Sequence, residues 1–200
     1  MVGFLHTTRL FIWIICAMIS VGRSQDDMIW RGVNAFYNYQ TASAISILDS
    51  ARLEYPDNPL THFTWAAAHM LHSEAYNTID DTYLILNKHL DEIIPILKQL
   101  QKKFPEDPIY NLYLGCAIGL RARVNLGKKQ WLKTLVNSYK GLRIILYTAR
   151  NNPELIDAQL PIGIIEYYTS LNSGPIRWGA GLMGIDANRD AGLAKIKRAA

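Results

Sequence analysis

Three prolines set a period in this chain. Pro56, Pro105 and Pro153 stand 49 and 48 residues apart. A small residue recurs at Ala66, Gly115 and Gly163 with the same two intervals. Two independent markers on one period predict a chain assembled from similar units. The residue before a proline is driven out of the helical region, so each proline marks the end of a helix.

The unit is clearest between Pro105 and Pro153. Pro108 suits the first turn of a helix, where its missing N–H is not needed. Leu112, Tyr113, Cys116, Ala117, Leu120 and Val124 then recur at helical spacing. Gly115 and Gly119 share a face, and glycine inside a helix costs about 1 kcal/mol against alanine. Two on one face predict a neighbouring helix packed very close. Gly127 is expected to stop this helix. Trp131, Leu135, Tyr139, Leu142 and Leu146 are expected to form the packing face of the return helix, which Asn151, Asn152 and Pro153 end.

Elsewhere the same reading gives helices over most of the chain. A helix pair is expected from Asp26 to Ala51, and a further helix from Leu60 to about Tyr76. A long helix from Tyr83 to Phe104, capped by Asp81 or Thr82, is expected to bend or break near Pro95. A helix follows from Glu154 or Leu160 to Ser170. Leu171 to Asp186 reads as a long loop in which Trp178 and Met183 tuck onto the helices, and a last helix begins near Ala187. The chain stops there without the proline or polar cap that ends a repeat array, which predicts further repeats downstream.

Met1 to Ser24 has the form of a signal peptide, with His6 and Arg9 ahead of a charge-free apolar run, Leu10–Val21, of 12 residues. A membrane span needs about 20, so cleavage before Gln25 is expected, leaving residues 25–200 as one domain. An uncleaved anchor is the other outcome. Export implies an oxidising compartment. Cleavage would leave Cys116 as the one cysteine of the mature chain, in an apolar helix where an inert buried thiol is expected.

The first unit carries a resemblance to a known repeat. Gly32, Ala44, Ala51 and Pro56 stand at offsets of 12, 7 and 5, which resembles the small, small, small, proline pattern of the tetratricopeptide repeat (TPR). Gly192 and Ala199 repeat the interval of Ala44 and Ala51. Arg31 departs from the pattern, standing where an apolar residue is usual, and the later units run long. The segments YLGCAIGLRARVNLGKKQW and DAQLPIGIIEYY and the end DANRDAGLAKIKRAA resemble exported bacterial TPR-like proteins of unassigned function. The resemblance implies an all-α, TPR-like solenoid of helical hairpins, about four pairs, after the signal segment. It also implies a non-catalytic scaffold or adaptor in the periplasm or outside the cell. Its groove, lined by first helices, would bind a segment of another envelope protein through Asn34, Asn38, His62, His69, Asn111, Arg121 and Arg123.

Charge is unevenly placed. Asp26–Asp107 holds 12 acids and 6 bases, Pro108–Asn152 holds 8 bases and no acid, and Pro153–Ala200 holds 5 of each. Without the signal segment the net charge is +2, so general nucleic-acid binding is not implied. Lys129, Lys133, Lys140, Arg143 and Arg150 share one helical stripe. It reads as a solvated face, a site for an acidic partner or anionic headgroups, or a partner for the acidic half.

An alternative function is small-molecule or metal binding by the His62, His69 and His72 stripe or by the Trp178 loop, since imidazoles on one face can converge on zinc or copper. His62 lies two turns from the other two. The sequence calls for no cofactor. It contains no nucleophile elbow, no H-E-x-x-H and no paired cysteine motif. Glu166, in I-I-E-Y-Y, is a lone candidate carboxylate.

Overall fold

The structure is a computed structural model that describes residues 27–171 and 174–199. Met1 to Ser24, read as the signal segment, lies outside them. Among the described residues the chain is all α, with no strand. Helix α1 spans residues 27–37. It is followed by α2 (Thr41–Glu54), α3 (Pro59–Tyr76), α4 (Ile79–Lys103), α5 (Pro108–Gly127), α6 (Trp131–Asn151), a 3-10 turn (Ile156–Ala158), α7 (Gln159–Ser170), α8 (Gly174–Leu182) and α9 (Arg189–Ala199). The chain divides into two compact units, one ending at His72 and the other beginning at Ser73.

The proline period is a repeated turn. Tyr55, Phe104 and Asn152, each just before a marker proline, have φ/ψ of −125/63°, −126/63° and −137/72°. Each donates its N–H to the carbonyl four residues back, at Ala51, Leu100 and Thr148. Each then accepts from the N–H three residues on, at Asn58, Asp107 and Leu155. The steric exclusion before proline thus produces the same helix end three times.

A second turn repeats too. Tyr39 and Lys129, 90 residues apart, are left-handed at φ 59° and 56°. The N–H groups of Gln40 and Gln130 donate five residues back, to Ala35 and Asn125, at 2.9 Å each. The expectation that Gly127 makes this stop is therefore corrected: Lys129 takes the left-handed position. Gly127 is glycine for another reason, because a methyl there would overlap the Tyr83 ring.

In the first unit α1 packs on α2 through Gly32, where a methyl would lie 2.8 Å from Leu48. Ile29, Val33 and Ala51 form the core beside it. In the second unit Leu86, Leu90, Ile93, Leu97 and Leu100 give α4 its buried stripe. Pro95 neither breaks α4 nor divides it. It lies on the exposed side, so the carbonyl it leaves unbonded sits on the watered face of the helix. The cap of α4 is Thr78, rather than Asp81 or Thr82. Its hydroxyl accepts from the Asp81 N–H at 3.2 Å and donates to the Asp81 carboxylate at 2.7 Å.

Glycines seat two pairs of helices closely in this unit. A methyl on Gly141 of α6 would sit 2.8 Å from the Gly115 carbonyl oxygen and 2.8 Å from the Gly119 nitrogen of α5. A methyl on Gly192 of α9 would sit 2.7 Å from the Tyr167 nitrogen and 2.8 Å from the Gly163 oxygen of α7. The Gly141 contact fixes the rotation of α6 and corrects its expected packing face. Gly141, Ile145 and Thr148 are buried, while Trp131, Leu135 and Tyr139 are 64, 62 and 50% exposed.

The expected loop from Leu171 to Asp186 contains α8, another correction. Proline costs little in a first helical turn, and Pro175 stands at the second position of α8. Trp178 does not tuck in, being 70% exposed. Met183 does, against Leu142, Ala180 and Ile185. The last helix starts at Arg189, two residues later than expected, because the Asn188 side chain caps it by accepting from Asp190 and Ala191.

Candidate docking surface

The histidine stripe is taken up inside the first unit. His62 is buried at 3% exposure. Its Nδ1 accepts from Arg52 Nε at 3.0 Å, and its Nε2 donates to the Pro56 carbonyl at 2.8 Å. Arg52 also lies 3.7 Å over the Trp65 ring, and Trp65 donates to Asp49 at 2.6 Å. His69 meets the Trp65 ring edge-on, and His72 Nδ1 bonds Thr41 Oγ1 at 2.9 Å. His62 and His72 thus tie α3 to α2, His69 packs within α3, and among the described residues no group of three metal donors converges. Asn34 and Asn38 of the same unit are exposed, with the Asn38 amide donating to the Asn34 carbonyl.

In the second unit Asn111 is half-buried and accepts from Gln101 at 2.9 Å. Arg121 pairs with Asp91 at 2.8 Å, and Arg123 with Glu74 at 2.6 Å. Lys129, Lys133, Lys140, Arg143 and Arg150 are exposed and form no ion pair among the described residues.

The apolar side chains beside these cations are also open. Trp131, Leu132, Leu135, Val136 and Tyr139 are each between 42 and 76% exposed. Exposed apolar side chains clustered next to unpaired cations make this face a candidate docking surface. Toward its C-terminal end α6 forms one wall of a cleft of about 390 Å³, with Tyr139, Arg143, Leu146, Tyr147 and Arg150. Leu182, Met183 and Gly184 form the other wall. Gly184 makes this possible by turning the chain at φ 80° and leaving Arg150 Nη2 3.6 Å from where a side chain would begin. Arg143 and the stripe are legible in the sequence, but the cleft is not. Its far wall folds back from more than 30 residues downstream, and only the glycine after Leu182 and Met183 hints at the turn.

Glu166 and Cys116 do not line this surface. Glu166 is 5% exposed, and its Oε1 accepts from Lys195 Nζ. Its other oxygen has no partner among the described residues. Cys116 packs against Leu112, Ile145, Ala158 and Ile162. Burial pushes its thiol up from 9.0 to about 12, which removes the thiolate needed for reactivity. Among the described residues no helix is long and apolar enough to cross a membrane.

No protein family matches the chain, and no curated protein or solved structure is similar to it.

Proposed function

We propose that this chain is an exported, non-catalytic scaffold with a TPR-like solenoid of helical hairpins, and that α6 is where it docks an acidic segment of another envelope protein. The repeated pre-proline turns and the glycine-seated helix pairs support the repeat reading. Export rests on the form of Met1 to Ser24. The observation that carries the docking reading is the face of α6. It exposes Trp131, Leu132, Leu135 and Tyr139 beside Lys129, Lys133, Lys140 and Arg143, in a stretch without any acid. Apolar anchors supply affinity, and the cations supply steering and selectivity for an acidic partner.

The test is capture of the tagged full chain from its native envelope after mild cross-linking, beside a Lys129/Lys133/Lys140/Arg143→Glu variant. The reading expects a reproducible protein partner that the variant loses. A partner retained by the variant moves docking away from α6. Recovery of anionic lipid alone assigns the face to a membrane surface instead.

A further inference from the structure

We infer that the occupant of the α6 face is an acidic amphipathic helix, packed along α6 in coiled-coil fashion with its end in the cleft and its carboxylates on Arg143 and Arg150. The inference rests on the docking reading above and adds the chemistry of the partner.

The spacing along α6 argues for a helix. Leu132, Leu135, Tyr139, Leu142 and Leu146 follow one another at intervals of 3, 4, 3 and 4, the seam by which one helix packs lengthwise on another. Two parts of that seam differ. Leu142 is 5% exposed and is covered by Ala180 and Ile185. Leu132, Leu135 and Tyr139 are 76, 62 and 50% exposed. The open part is a little over two turns of helix, and it runs directly into the cleft.

The cations follow the same register. Lys129, Arg143 and Arg150 occupy one flanking position of the seven-residue repeat, the position that selects partners by charge in paired helices. Arg143 and Arg150 are about 10.5 Å apart along the axis. A helix lying along α6 presents carboxylates seven residues apart at the same pitch. An extended strand covers that distance in about three residues, which point to opposite sides. Arg121 and Arg123 already hold Asp91 and Glu74, whereas these cations are unpaired among the described residues. Met183 on the far wall adapts to an apolar side chain entering between it and Leu146.

The test is fluorescence anisotropy with two synthetic helical peptides of about 20 residues. Both carry leucine along one seam; one has glutamate and the other glutamine at the flanking positions. The full chain is expected to bind the glutamate peptide at least about tenfold more tightly, with the difference shrinking in high salt. Arg143→Gln/Arg150→Gln should remove that preference, and Leu135→Ser should weaken both peptides. Circular dichroism checks that each variant folds, since all three residues are exposed. Equal binding of the two peptides, or a preference that survives the arginine variant, overturns the inference. So does binding only to phosphatidylserine vesicles. If the captured envelope partner is lost in the Lys/Arg→Glu variant while the peptides show no preference, the docking reading stands and this inference falls.

Discussion

Gly141 of α6 lies so close to Gly115 of α5 that a methyl on it would sit 2.8 Å from the Gly115 carbonyl oxygen. Both groups belong to helix backbone, so neither helix can give way locally. Gly141→Ala is expected to destabilise the chain by about 1–3 kcal/mol, the usual range for overpacking. Gly119→Ala is the control. Its added methyl meets nothing within 4 Å, so relief from glycine's backbone entropy should stabilise by about 0.5–1 kcal/mol. Urea unfolding of the two variants should move the midpoint in opposite directions.

The same contact shows what could be read from sequence. Gly115 announced a close neighbour, because glycine within a helix is unfavourable unless something needs the space, whereas the space a side chain on Gly119 would take is open. Pro56, Pro105 and Pro153 announced three helix ends because the restriction before proline is local. The rotation of α6 was not legible. Trp131, Leu135 and Tyr139 read as part of a core face, and the seating of Gly141 turns them outward. Lys129 in a left-handed turn could not be foreseen from a residue type that seldom adopts it. α8 was not legible within Leu171–Asp186, where Gly174, Gly179 and Gly181 each disfavour a helix. The cleft depends on α8 and the Gly184 turn, so it was lost with them.

Cys116 gives a pH signature. Its folded thiol titrates near 12 and its unfolded one near 9.0. Above pH 9 the unfolded chain releases the proton first, so the thiol's contribution is full below 9 and is lost progressively toward 12. At pH 10.5 wild type should have lost on the order of 2 kcal/mol more than Cys116→Ala, relative to pH 8. Paired urea titrations at the two pH values check this. Iodoacetamide should not label the folded thiol at pH 8.

Glu166 and Lys195 join α7 to α9. Lys195→Ala leaves a carboxylate at 5% exposure without its cation. Because Lys195 is itself one-third exposed, the expected loss is about 1–3 kcal/mol, below that of a fully buried pair. In a Glu166→Gln background the same Lys195→Ala change should cost clearly less. A double-mutant cycle measures the difference, and additive effects would show that the pair is not coupled.

His62 acts as a hydrogen-bonding wedge between Arg52 and the Pro56 carbonyl. His62→Ala should lower stability by about 1–3 kcal/mol by removing both of these hydrogen bonds from a buried site. Zinc at micromolar concentration should leave the melting temperature of wild type unchanged. A zinc-dependent rise abolished by His69→Ala would reinstate the metal reading.

The most direct test of the docking account is site-specific photo-cross-linking in the native envelope. A photoreactive residue placed at Leu132, 76% exposed on α6, is compared with one at Leu53, 86% exposed on α2. The account predicts one defined protein adduct from position 132 and none from 53, with the adduct lost when Arg143 and Arg150 are changed to Glu. The same adduct from both positions, or a protein adduct only from 53, would contradict it.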